Sequence, residues 1–287
     1  MKTYKTREEL RDRIIATFAA QPEVYHIHLF GREAEECSDP YSDVDMVVCT
    51  NDLARTKAGY LDLFESISPV KATFCLAGSL HSYSEMILLE DYSPYQKVDF
   101  TISDESNIAW PVGAPIQVVY SDAQKHRESC SRLEAVEIKR DVRYKLTDAL
   151  FSVARFTKCL FRQDIDMYRR WQSISNLALV MLYEKHYGWE PETLKRGLGS
   201  GEIKRLYDDL DPEVEKIVNI IRPPEAQLDV ALSYKTSIDL LVELSRRKAE
   251  YYEVALDESL IGYILDFMDV EMARYRDQKE RDSRQEV

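Results

Sequence analysis

Two aspartates, Asp43 and Asp45, stand one residue apart at the start of the apolar run VDMVVCT (44–50). Because side chains alternate along a strand, both carboxylates project to one face while Val44 points into the core. Hard cations such as Mg²⁺ take oxygen ligands and commonly bind through one or two carboxylates plus substrate phosphates. The pair therefore predicts a site for a metal ion bound to a triphosphate.

Asp99 is the third candidate, because it interrupts the otherwise apolar strand sequence KVDFTI (97–102). A charge in such a strand costs several kcal/mol unless it is paired or bound to a metal. Close to the first two aspartates it could be a metal ligand, a general base or both. Sequence spacing does not show that it lies close, and an isolated Asp-x-Asp pair is also common in solvated turns.

Hydrophobic periodicity predicts the elements that position these residues. The first part of the chain mixes helices at 7–21 and 53–66 with strands at 24–30, 43–50, 70–76, 83–89, 97–103 and 116–120. The turn-rich sequence EDYSPYQ (90–96) predicts that strands 83–89 and 97–103 are antiparallel neighbours. Gly31, after the first strand, permits positive φ or a close approach of backbone to a phosphate.

In the remainder of the chain, hydrophobic periodicity predicts helices at 131–162, 165–187, 202–210, 213–221, 225–250 and 256–278. The charged tail ARYRDQKERDSRQEV (273–287) is predicted to fray, and the basic run RRK (246–248) to lie on the surface. The predicted fold is α+β, with a small mixed-sheet domain at 1–124 and an all-helical bundle domain at 125–287.

Composition narrows the class of partner. The 287 residues carry 51 acidic and 38 basic side chains, a formal charge of −13. This excess repels phosphate backbones, so we expect no nucleic-acid binding, and a cationic small molecule is favoured. No apolar run is long enough to span a membrane, and the charged start MKTYKTREELRDR is unlike a signal peptide. We therefore expect a cytoplasmic protein that does not bind membranes.

The segment GREAEECSDPYSDVDMVV (31–48) resembles the signature of the nucleotidyltransferase superfamily shared with polymerase beta. It is most similar to the antibiotic nucleotidyltransferases that modify lincosamides and kanamycin-type aminoglycosides. Residues 151–187 are similar to the first helices of the C-terminal domain of those enzymes. The matching positions are Gly31, Tyr41, Ser42, Asp43 and Asp45, with Asp99 where the family's third carboxylate is expected.

The resemblance implies Mg²⁺-dependent transfer of a nucleotidyl group from a nucleoside triphosphate, expected to be ATP, to a hydroxyl of a small molecule, with release of pyrophosphate. It implies a cleft between two domains and a homodimer. Asp43, Asp45 and Asp99 are the implied metal ligands and catalytic residues, with Asp99 as the base. Gly31, Arg32 and Ser42 are the implied nucleotide-binding residues.

One departure from the family keeps an alternative open. Arg32 stands where the family has serine, and Glu33, Glu35 and Glu36 make the loop anionic. Arginine could hold a phosphate through a bidentate contact, but the glutamates oppose a triphosphate. The alternative is a binding or regulatory protein that keeps the fold without catalysis. Arg169 and Arg170 could reach a substrate but fit a solvated helix start better, and Asp164 and Asp166 fit helix capping better.

Overall fold

A computed structural model describes residues 4–32, 34–35, 37–104, 115–128, 131–191, 198–209 and 227–285. Its contacts divide the chain into two units, Met1–Ile138 and Lys139–Val287. The first contains a mixed sheet with helices and the second is helical, so the α+β prediction is confirmed. Within the described ranges no helix combines the length and the apolar character that a membrane span requires.

The first unit has two helices, six strands and one short 3-10 helix among its described residues. In chain order these are α1 (Arg7–Ala19), β1 (Val24–Leu29), β2 (Val44–Thr50), α2 (Leu53–Ile67), β3 (Val70–Gly78), β4 (Ser82–Leu89), the 3-10 helix (Pro94–Gln96), β5 (Val98–Ser103) and β6 (Gln117–Ser121). The described strands form one sheet in the order β3-β4-β5-β2-β1-β6. Strands β4 and β5 pair antiparallel, as the turn sequence between them predicts.

The central pair of strands, β2 and β5, is parallel. Its register places Val44 opposite Val98 and Asp45 opposite Asp99. The alternate residues of both strands are buried and belong to one core cluster with α1 and α2: Val44, Met46, Val48, Val98, Phe100 and Ile102. Rings from the two helices, Phe18 and Phe64, each lie 5.0 Å from the Phe100 ring. Since this face of the sheet packs against the helices, Asp45 and Asp99 project to the other face.

A buried polar group ties β4 to α2. Glu85 is 4% exposed and accepts hydrogen bonds from the hydroxyls of Tyr60 and Tyr83. Burial, together with the neighbouring Glu85 charge, raises the pKa of both phenols above the ordinary value. Both tyrosines therefore remain protonated donors, and the strand next to β5 is fixed to its helix.

The helix predicted from residue 131 begins only at Val142, so the prediction that residues 131–141 are helical is wrong. Their apolar residues have helical spacing, but the segment bonds to the sheet unit instead. The Ala54 N–H donates to Ser131 Oγ, and the Leu133 N–H donates to the Leu80 carbonyl. Asp141 then accepts from the Tyr144 N–H and starts the helix.

The second unit contains five helices among its described residues. They are α3 (Val142–Phe161), α4 (Asp166–Tyr187), α5 (Ser200–Asp208), α6 (Gln227–Tyr251) and α7 (Glu258–Gln285). The helix predicted at 213–221 falls outside the described residues. Helix α7 continues to Gln285, beyond the predicted end at residue 278, and fraying of the tail stays a prediction. Tyr275 is buried near its middle, and the Arg274–Glu271 pair adds support one turn apart on the same helix.

Lys248 corrects the prediction that RRK is a surface run. Its side chain is fully buried and its ammonium pairs with Glu184 on α4, which is 1% exposed. Arg246 and Arg247 do lie on the exposed side, paired with glutamates. Lys248 shares a helical face with the buried residues Leu241 and Leu244. The charge of the run predicts a surface position for all three residues, whereas its helical phase places Lys248 inside.

Candidate metal and nucleotide site

The carboxylates of Asp43, Asp45 and Asp99 lie together. One oxygen from each can be chosen so that all three are within 4.8 Å of one another, and all three residues are partly buried. Two neighbouring parallel strands bring them together: Asp43 comes directly before β2, and Asp45 and Asp99 are register partners. The three residues thus meet at the amino-terminal end of the β2–β5 pair.

Lys97 completes the cluster, and the sequence analysis missed it. Its Nζ lies 2.9 Å from Asp43 Oδ2 and also donates to Asp99, while only 2% of its side chain is exposed. The backbone holds it in place, because the Val44 N–H donates to the Lys97 carbonyl at 3.0 Å. The sequence contains an indication of this contact, because Lys97 precedes Asp99 by two residues and both side chains therefore share a strand face.

Gly31 lies against the cluster in a conformation that suits glycine. Its φ is +67°, and a Cβ at this position would lie 2.6 Å from Asp45 Oδ2. The preceding residue is fixed to the same strand, because the Phe30 N–H donates to the Asp45 carbonyl. The close approach that the sequence predicted for Gly31 is therefore an approach to Asp45.

We expect Gly31→Ala to destabilise the first unit by about 1–2 kcal/mol, the cost of left-handed backbone for a residue with a Cβ. The added carbon also displaces the Asp45 carboxylate, so Mn²⁺ binding should weaken. Gly59→Ala is the matched control: it lies in α2 with nothing within 4 Å of a Cβ. That change should stabilise by about 0.5–1 kcal/mol. Denaturant unfolding measures both variants, and equal stability of the two would contradict this account of Gly31.

The two other residues assigned to the nucleotide contact their own loop. The Arg32 guanidinium donates to the Cys37 carbonyl from Nε at 3.3 Å and from the second nitrogen at 3.2 Å, and it is partly exposed. Ser42 is buried; its hydroxyl accepts from the Asp39 N–H and donates to Asp39 Oδ1. Nucleotide binding by Arg32 and Ser42 stays a prediction. Glu33 and Glu36 of the anionic loop lie outside the described residues.

The polar residues at the start of α4 bond to one another. Asp164 Oδ1 accepts from the Asp166 N–H at 2.9 Å. Asp166 in turn lies 2.8 Å from Arg170 and 3.5 Å from Arg169. The N-cap of α4 is nevertheless Ile165, and no side chain makes a cap hydrogen bond there, so the capping prediction for Asp164 and Asp166 is not confirmed.

The donor set fits a hard divalent cation. Its ligands are all carboxylate oxygens, which are the atoms that Mg²⁺ prefers. The three carboxylates are negatively charged and lie close enough together to contact a single ion. Asp43, Asp45 and Asp99 are therefore the residues that would hold Mg²⁺.

No protein-family model and no curated protein matches the sequence. Among solved structures, an aminoglycoside 6-adenyltransferase from Bacillus subtilis is 14% identical over 93% of this chain and 98% of its own, with a TM-score of 0.33. A Helicobacter pylori protein provisionally assigned as a nucleotidyltransferase is 15% identical over 86% and 95%, with a TM-score of 0.22. JHP933 from Helicobacter pylori is 11% identical over 98% and 97%, also at 0.22.

Proposed function

We propose that this chain is a nucleotidyltransferase that transfers a nucleotidyl group, in particular an adenylyl group from ATP, to a hydroxyl of a small molecule. The observation that carries the proposal is that three carboxylates, one directly before β2, one on β2 and one on β5, have oxygens within 4.8 Å of one another. Gly31, which lies against Asp45, adds support because it belongs to the same sequence motif. The resemblance of residues 31–48 to the nucleotidyltransferase signature supports the same reaction.

Each carboxylate has a role in this reaction. Asp43, Asp45 and Asp99 would hold Mg²⁺, which would neutralise and orient the phosphates of the nucleotide. The carboxylate of Asp99 accepts the proton of the acceptor hydroxyl. The acceptor oxygen forms a bond to the α-phosphorus as the bond to the bridging oxygen breaks, and pyrophosphate leaves with that electron pair. Positioning and charge neutralisation supply most of the rate enhancement.

The acceptor we propose is a cationic small molecule such as an aminoglycoside or a lincosamide. The formal charge of −13 attracts cations toward the protein and disfavours polyanionic acceptors. This field acts on the rate of encounter and on the class of acceptor. It does not select among individual compounds.

A second candidate is a binding or regulatory protein that keeps the fold without catalysis. The observation that favours it is the position of Arg32, whose guanidinium donates to the Cys37 carbonyl of its own loop. In that position two of its nitrogens bond to the loop itself. Calorimetry separates the two candidates: tight binding of ATP with Mg²⁺, but no product with any acceptor, would favour this second one.

The direct test combines the purified protein with Mg²⁺, each of ATP, GTP, CTP and UTP, and a panel of aminoglycosides and lincosamides. We expect pyrophosphate release with one acceptor class, and a product heavier than the acceptor by one nucleotidyl group. Mass spectrometry of the product excludes simple hydrolysis of the triphosphate. Hydrolysis alone, with every acceptor unmodified, would contradict the proposed reaction.

A further inference from the structure

We propose that Lys97 is a positioning residue that acts as an internal counter-ion of the metal site, and that a divalent cation must displace its ammonium from Asp43 and Asp99. This inference rests on the proposed function only for the identity of the cation site. It adds the Lys97 ammonium as a competitor for the carboxylate oxygens. It also implies that the cation enters the site as a complex with a triphosphate.

The geometry makes Lys97 part of the cluster. Its ammonium contacts one oxygen of Asp43 and one of Asp99, two of the three carboxylates that converge. An ammonium group that is nearly excluded from water is costly unless carboxylates surround it. The carboxylates also depend on the ammonium, because like charges this close repel one another. Lys97 therefore holds the cluster together before a cation arrives.

The chain around Lys97 restricts its movement. It directly follows the 3-10 helix Pro94–Gln96, whose start is a capping box between Ser93 and Gln96. On the other side, the Lys97 carbonyl accepts from the Val44 N–H of β2. With the backbone fixed at both ends, the ammonium can leave the carboxylates only by rotation of the side chain.

A divalent cation and the ammonium compete for the same oxygens. Mg²⁺ binds carboxylate oxygens at about 2.0–2.1 Å, so an ammonium still bonded to Asp43 would lie within a few ångströms of the ion and repel it. A bare cation must therefore displace Lys97 without offering it a new partner. A triphosphate does offer one, because lysine binds phosphate as a point charge. The site should consequently favour the cation–triphosphate complex over the free cation.

The test is Mn²⁺ binding measured by calorimetry on the full chain without nucleotide. Lys97→Met should bind Mn²⁺ about tenfold or more tightly than the unmodified protein, since the competing charge is gone. Its midpoint of thermal unfolding should fall without metal and recover when Mn²⁺ is added. Lys5→Met is the matched control: it removes a lysine that pairs with Asp91 in the same unit, and Mn²⁺ affinity should not change.

A second comparison applies if Lys97→Met fails to fold. The pair Asp43→Asn with Lys97→Met keeps the formal charge of the cluster, and it should bind Mn²⁺ more tightly than Asp43→Asn alone. Unchanged or weaker Mn²⁺ binding in either comparison would overturn the inference. Because no nucleotide or acceptor is present, this result is independent of the pyrophosphate test, and either proposal can fail while the other stands.

Discussion

Asp45→Asn is expected to lower pyrophosphate release by about a thousandfold or more while the chain remains folded. The substitution keeps the size of the side chain but removes one of the three charges that would hold the metal and the phosphates. It also relieves repulsion among neighbouring carboxylates, so the free energy of unfolding should be unchanged or higher. Steady-state kinetics with the productive substrate pair and denaturant unfolding measure the two effects separately.

Asp62→Asn provides the matched control for this prediction. Asp62 is exposed on α2 of the same unit, so the change alters the net charge equally without touching the cluster. Its activity should equal that of the unmodified protein. If the activity of Asp45→Asn lies within about tenfold of the control, Asp45 is not a ligand of the proposed metal site.

Glu184→Gln should lower the free energy of unfolding of the helical unit by about 3–5 kcal/mol. Glu184 and Lys248 are both buried and pair between α4 and α6, so neutralising the carboxylate removes the opposite charge that Glu184 gives to a buried ammonium. The Trp189 ring, 5.9 Å from Lys248 Nζ, compensates only in part. Denaturant unfolding followed by circular dichroism at a helix wavelength measures the loss.

Two further variants give this prediction its controls. Arg247→Met removes the neighbouring, exposed member of the same run, whose pair with Glu243 lies in water, and should cost no more than about 1 kcal/mol. Replacing both Glu184 and Lys248 with methionine removes the buried charges together and should recover most of the lost stability. A loss in the double variant as large as in Glu184→Gln would show that packing, rather than charge, accounts for the effect.

Strand alternation was sufficient to predict part of the site from the sequence. It placed Asp43 and Asp45 on one face, and it singled out Asp99 as a charge in an apolar strand. That the three carboxylates meet depends on β2 pairing parallel with β5, a tertiary fact that local spacing does not contain. Lys97 was missed because a lysine at the start of a strand is ordinarily exposed, and its burial depends on Asp43, which is distant in sequence.

Two of the wrong predictions have the same physical cause. Residues 131–141 have helical spacing, but their backbone bonds to Leu80 and α2 instead, and tertiary contacts overrode local periodicity. Lys248 has the composition of a surface residue, yet Glu184 on another helix makes its burial tolerable. Both depend on partners that are distant in sequence.

The parallel pairing of β2 and β5 also has a consequence for how the chain folds. The whole of α2, β3 and β4 lies between the two strands in sequence, and parallel strands cannot be joined by a tight hairpin. The acidic cluster therefore requires a non-local contact, and no partly folded chain with only local structure contains it. A cation that binds the cluster stabilises only molecules with the completed sheet. Cation affinity should thus depend on whether the sheet is complete. A single cut of the chain between β2 and β5 should lower both the cation affinity and the stability of the sheet.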